Sequence, residues 1–163
     1  MLTDDQIKTL IGCDKKIVNA DPKKGMKPDG KSDFLQRRNL DVCSLSEQES
    51  FTVFLRKNNF LIEQFSIGII YKTRVKEPGS IMLLRYNGIH GTKDYSIDGH
   101  YGNFHIHTIT ETLLNQGIYE PQETKKTSSY TSFDQALNLF LLKLNIINIK
   151  EFFPAPNIQL ELF

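Results

Sequence analysis

Residues 50–86 read SFTVFLRKNNFLIEQFSIGIIYKTRVKEPGSIMLLRY. Three apolar runs, 50–58, 65–74 and 80–86, are separated by short polar connectors. Side chains of an extended chain alternate between two faces. Phe51, Val53 and Leu55 therefore share a face in the first run, and Phe65, Ile67, Ile69 and Tyr71 share one in the second. The third run, SIMLLRY, is apolar on both faces. Lys57-Asn58-Asn59 and Glu77-Pro78-Gly79 supply the turns. Connectors this short leave no room for the crossover helices of a parallel sheet, so the runs predict an antiparallel meander. Residues 34–45 alternate partially and predict a further strand before it. Phe104-His105-Ile106-His107 predicts a short strand after it.

Helices flank this core. Residues 3–11 carry a Thr3/Gln6 capping box, with Leu2, Ile7, Leu10 and Ile11 on one side. Beyond Gly12, Ile17 and Val18 extend the same apolar face. Thr108 and Glu111 form a second capping box, opening a helix over about 109–116 that Gly117 closes. Ser132 and Gln135 form a third. After it Phe133, Ala136, Leu137, Phe140, Leu141 and Leu144 recur at helical spacing, as on a helix laid against a sheet. The expected fold is α+β: an antiparallel sheet of four to five strands, with an N-terminal helix and two C-terminal helices packed on one face. One domain over 1–163 is expected, divided into a helical segment 1–20, a basic loop 21–33, the sheet 34–107, and helices with an apolar tail over 108–163. The tail, FFPAPNIQLELF, is expected to pack on the body or on a partner.

Composition excludes several classes. The 163 residues hold 20 Lys plus Arg and 19 Asp plus Glu, a net charge of +1, which rules out a strongly basic nucleic-acid coat and an acidic tail protein. Two cysteines, Cys13 and Cys43, make no disulfide scaffold and lack zinc-knuckle spacing, so they read as reduced thiols. MLTDDQIKTL has no signal-peptide pattern, and no apolar run approaches the ~20 residues of a membrane span. A soluble cytoplasmic protein with no membrane partner is expected. No Gly-x-Ser-x-Gly elbow, phosphate-binding Gly-x-x-x-x-Gly-Lys loop or dinucleotide fingerprint is present.

All four histidines, His90, His100, His105 and His107, fall within 18 consecutive residues. They straddle a 16-residue stretch, 88–103, with four glycines and no core pattern, the profile of a functional or mobile loop. In a strand, His105 and His107 point to one face. Three readings stand side by side. In the first, His105 and His107 are acid and base on a phosphodiester, and His90 and Arg85 hold the phosphate. Lys93 or Tyr101 stabilises charge, and the helix after Thr108 offers its N-terminus to the anion. In the second, His105 and His107 with His90 or His100, and Asp94, Asp98 or Glu111 as oxygen donor, hold zinc or another divalent ion. In the third, the imidazoles hold a loop through backbone hydrogen bonds. The first reading needs no cofactor, while a divalent metal is compatible with the second.

Charge is also uneven. Residues 15–38 carry Lys15, Lys16, Lys23, Lys24, Lys27, Lys31, Arg37 and Arg38 against three aspartates, a local +5 that leaves −4 for the remainder. The segment reads either as a contact for the RNA or DNA backbone or as an ordinary solvated loop. Phe34 is its only aromatic, so no base-stacking platform is indicated.

Three stretches, LTDDQIKTLI, LLRYNGIHG…HYGNFHIHTITE and APNIQLELF, resemble an uncharacterised group of small bacterial and mobile-element proteins. That group carries Arg-x-x-Gly-x-x-His, a glycine-containing loop, and a strand ending in His-x-His followed by glutamate. The corresponding positions are Arg85, Gly88, His90, His105, His107 and Glu111, with one residue rather than two between Gly88 and His90. The chain departs from the group in the loop before His100 and in lacking a Trp after Glu111. The resemblance implies roles in toxin action, anti-phage defence or counter-defence. Two functions follow as expectations: a small toxin-type ribonuclease, or a non-catalytic inhibitor that meets an antitoxin or host defence protein through its tail and glycine-rich loop.

Overall fold

The computed structural model describes residues 1–30, 32–90 and 102–153. The chain runs α1 (Asp4–Gly12), β1 (Lys15–Val18), β2 (Lys27–Pro28), β3 (Leu35–Ser44), β4 (Ser50–Asn58), β5 (Phe65–Lys72), β6 (Ser80–Asn87), β7 (His105–Thr108), α2 (Glu111–Asn115), β8 (Lys125–Lys126), α3 (Phe133–Lys143) and α4 (Ile149–Phe152). It is an α+β fold with an antiparallel sheet in the order β1-β3-β4-β5-β6-β7-β8, and β2 also pairs with β3. The meander of 50–86 is its centre. The sheet has eight strands, not four to five.

β1, β2 and β8 account for the difference. Ile17 and Val18 do not prolong the first helix. Cys13 turns extended (φ −64°, ψ 151°), and Lys15–Val18 pairs with Asp41–Ser44 of β3. β-branched side chains favour that outcome. The outer edge of β1 is closed by the 145–148 segment. Lys15 N–H donates to the Asn145 carbonyl (3.0 Å) and Ile147 N–H to the Lys15 carbonyl (2.9 Å). The Asn148 amide accepts from Ile17 N–H (2.8 Å) and donates to the Ile17 carbonyl (3.0 Å). One side chain thus stands in for a strand residue at an edge that would otherwise be open. The far edge is the two exposed lysines of β8.

The sheet has two different faces. Leu40, Val53, Ile69 and Leu84 align across four strands, as do Val42, Phe51, Tyr71 and Ile81. This apolar face joins Ile7, Leu10 and Ile11 of α1 and Ala136, Leu137, Phe140 and Leu141 of α3 in one buried cluster. Helix packing differs from the expectation: α1 lies against β6 and α3 against β5, α2 is only five residues, and α4 is additional. The cap of α2 is also displaced. β7 keeps its pairing through Thr108, so the N-cap is Thr110, which accepts from Leu113 N–H (3.3 Å). The expected Thr3/Gln6 box is present in full on α1. At α3 Ser132 caps Gln135 N–H, while the Gln135 side chain turns to Thr131.

The opposite face carries Arg56, Ser66, Asn87 and His105 in one cross-strand row and Phe54, Gly68, Arg85 and His107 in the next. Phe54 lies over Gly68, where a Cβ would overlap its ring. No helix among the described residues is long and apolar enough to cross a membrane. The apolar tail from residue 154 on lies outside the described residues, so its expected packing does too.

Candidate functional site

β7 places His105 and His107 on this second face, opposite Asn87 and Arg85 of β6. His90 follows three residues after Asn87, and its Nε2 lies 3.3 Å from His105 Nε2. Ring centroids are 5.0 Å apart for His90–His105 and 5.0 Å for His105–His107. Three of the four histidines therefore converge in space, with Arg85 beside them.

Backbone partners assign the protons at two ring nitrogens. His105 Nδ1 lies 2.8 Å from the Asn103 carbonyl and His107 Nδ1 lies 3.1 Å from the Glu123 carbonyl. A carbonyl only accepts, so both rings donate from Nδ1 and a neutral ring turns a lone pair outward at Nε2. Ser66 Oγ–H donates to Asn87 Oδ1 (2.7 Å), which orients the Asn87 amide to donate to His105 Nε2 (3.2 Å). His90 Nε2 lies against the same nitrogen, whose one lone pair an Nε2–H of His90 would share with the Asn87 amide. The supports behind these rings are rigid. The Tyr130 hydroxyl shares its one proton between the carbonyls of His105 (2.8 Å) and Asn87 (3.1 Å), and burial raises the Tyr130 phenol pKa.

Access separates the rings. His105 and His107 are 0% and 1% exposed. His90 is half-buried and borders a pocket of about 430 Å³ with Leu35, Arg56, Ser66, Arg85 and Asn87. Arg85 is half-buried, and desolvation pushes its guanidinium below the ordinary arginine value despite Glu120. Its Nε has no hydrogen-bond partner among the described residues. The Arg56 guanidinium stacks on Phe54 at 5.3 Å from the ring centroid. Neither arginine is in any ion pair among the described residues. Two arginines in no ion pair among the described residues thus flank the imidazole at a pocket that Lys57 and Asp29 also line, Asp29 being paired with Arg37.

Gly88 holds this corner together. A Cβ there would overlap the Glu63 carbonyl and the Phe65 ring, while Gly88 N–H donates to the Phe65 carbonyl (2.9 Å). Gly88→Ala is expected to lower stability by about 1–3 kcal/mol. Urea unfolding of the variant checks this, and wild-type stability would show that the corner yields freely.

The other candidates part company with the histidines. Glu111 opens α2, where its N–H donates to Asp4 Oδ1 (2.8 Å), so a carboxylate of α1 already meets the helix end expected to receive an anion. His100, Lys93, Asp94, Asp98 and Tyr101 lie outside the described residues, as does most of the glycine-rich loop. Among the described residues no three His, Cys, Asp or Glu side chains are arranged to hold a metal ion.

The basic segment is divided. Lys15 is buried and donates to three carbonyls, those of Ile11 (2.7 Å), Cys13 (2.8 Å) and Leu144 (3.2 Å), so its ammonium is withdrawn from any phosphate. Lys16 pairs with Glu47 (2.7 Å), raising its own pKa and lowering that of the carboxyl. Arg37 pairs with Asp29 (3.2 Å). Arg38 donates to the Phe152 carbonyl (3.3 Å) beneath the Phe153 ring. Lys23, Lys24 and Lys27 are exposed, and Lys24 and Lys27 border a pocket of about 470 Å³ with Arg37 and Arg38. Lys31 lies outside the described residues.

Arg56, Ser66 and Asn87 complete the site and were not candidates from the sequence. Arg56 and Ser66 occupy the polar positions of alternating strands, a signal that assigns a face but no function, and Asn87 reads as a turn residue. No protein-family model, curated protein or solved structure matches the chain.

Proposed function

We propose that the protein is a small ribonuclease whose working imidazole is His90, backed by His105. The observation that carries this reading is the convergence of His90, His105 and His107 on one sheet face beside Arg85 and Arg56. The roles differ from the first expectation. His105 and His107 are buried, so His90 meets the substrate, while His105 Nε2 receives the His90 N–H and sets its tautomer. The lone pair of neutral His90 then sits at Nδ1.

The ribose 2′-oxygen forms its new bond to phosphorus as the P–O5′ bond breaks. His90 takes the 2′-hydroxyl proton, the departing 5′-oxygen takes a proton from water, and the imidazolium returns its proton to the hydroxide left behind. The products are a 2′,3′-cyclic phosphate and a 5′-hydroxyl. The Arg85 guanidinium binds the phosphoryl oxygens as their charge grows, an interaction strengthened by its partial burial. His90 as base supplies general catalysis of the ordinary size for a positioned imidazole.

The test is end-group analysis of RNA incubated with the protein. Cyclic phosphate ends are expected from the wild type, with Arg85→Ala slower by about 10²-fold. Intact RNA in the presence of folded wild type would sink the reading. The inhibitor alternative places its contacts on the tail and the glycine-rich loop, and intact RNA is its expected outcome.

A further inference from the structure

The end of the sheet next to the pocket exposes two aromatic rings far apart in sequence. Phe34 is 55% exposed and Phe60 73% exposed, with ring centroids 5.5 Å apart at 51°. Phe34 precedes β3, and Phe60 lies in the turn between β4 and β5. They meet because Leu35 pairs with Asn58 and because Asn59 N–H donates to the Phe34 carbonyl (2.8 Å). The turn is tied down: Asn58 Oδ1 accepts from the N–H groups of both Phe60 and Leu61, each at 2.9 Å. The rings are therefore held in place yet open to solvent, where two phenyl groups gain little from water.

Their surroundings indicate the occupant. Leu35 and Asn58, which position the rings, also line the pocket that holds Arg56, Arg85 and His90. Asn58 and Arg56 are two residues apart on β4, about 7 Å along the strand. Aromatic faces beside a pocket lined by Arg56, Lys57 and Arg85, whose Asp29 is already paired with Arg37, match a chain of stacked bases and phosphates. A duplex keeps its base faces covered, whereas a single strand presents them.

We infer that Phe34 and Phe60 form a stacking shelf for single-stranded RNA, seating bases next to the phosphate that enters the Arg56–Arg85 pocket. This rests on the ribonuclease reading and names its substrate class: unpaired RNA, bound through base faces with little regard for sequence. An apolar protein partner would use the exposed rings equally well, but it gives Arg56 and Arg85 no counter-charge.

Fluorescence anisotropy with a labelled mixed-sequence oligoribonucleotide, single-stranded or annealed to its complement, tests the shelf. Tight binding of the single strand is expected, with Phe34→Ala and Phe60→Ala each weakening it about tenfold and leaving the duplex unaffected. Phe34→Tyr, which keeps a ring, is expected to bind as wild type, and thermal melts confirm that the variants are folded. His90→Ala is expected to keep the ring dependence of single-strand binding while cleaving about 10²–10⁴-fold more slowly. Unchanged single-strand affinity in both alanine variants would overturn the shelf, as would equal loss of duplex binding, and the patch would then be a protein-docking surface. Ring-dependent binding without cleavage by any form would uphold the shelf and sink the ribonuclease. Cleavage that ignores both rings would do the reverse.

Discussion

His90→Ala is expected to reduce RNA cleavage by about 10²–10⁴-fold, the range for removing a positioned general base. Its stability is expected to stay within about 0.5 kcal/mol of wild type, because the ring is only half-buried and sits at a pocket margin. His105→Ala behaves differently. Its ring is fully buried, accepts from the Asn87 amide and donates to the Asn103 carbonyl. Removing it strands the Asn87 amide and leaves a void, at a cost of about 2–4 kcal/mol. It also frees His90 from the partner that sets its tautomer, so the residual cleavage is expected to show a displaced pH–rate profile. Activity and denaturant unfolding measured on both variants separate the two roles. Equal activity losses with equal stability losses would show that the cluster only holds the fold, the third reading open from the sequence.

Lys15 carries the largest expected effect on stability. Its ammonium sits where the last carbonyls of two helices converge, Ile11 and Cys13 at the end of α1 and Leu144 at the end of α3, with the Phe51 ring 5.2 Å from Nζ. Helix C-termini carry partial negative charge and unpaired carbonyls, and one lysine here satisfies both ends. Lys15→Ala is expected to cost about 3–5 kcal/mol through orphaned carbonyls and a cavity. Lys15→Met, which keeps the stem, is expected to cost about 1–3 kcal/mol.

A pH signature accompanies the effect. Burial pushes Lys15 below the ordinary lysine value of 10.5. Folded protein releases this proton at lower pH than unfolded chain does, so between the two values the unfolded state binds more protons. Stability contributed by this site therefore rises with pH across that window. The difference in unfolding free energy between wild type and Lys15→Met, followed through the alkaline range, is expected to grow with pH. A constant difference would show that Lys15 titrates as it does in water.

These outcomes mark how far local pattern reaches. Phe51, Val53 and Leu55 or Phe65, Ile67 and Ile69 announce strands because alternation is a property of a few consecutive residues. The caps at Thr3 and Ser132 are equally local. Ile17 and Val18 show the limit. Their apolar spacing suits a helix and a strand alike, and pairing with Val42 and Asp41 of β3, 25 and 23 positions later, decides for the strand. Lys15 is harder still, since a lysine in a basic run reads as surface until Leu144 and Ile11 are found around it.

The same division runs through the site. From the sequence alone come an antiparallel α+β fold, a histidine-rich window, and the shared face of His105 and His107, all consequences of short-range periodicity. Tertiary structure alone brings His90 onto His105, turns Arg85 and Arg56 toward one pocket, withdraws Lys15 from the basic segment, and sets Phe60 beside Phe34. Each of these is a contact between strands whose register depends on the packing of the whole sheet. Which imidazole meets solvent is settled by burial, and burial belongs to the assembled fold rather than to any stretch of the chain.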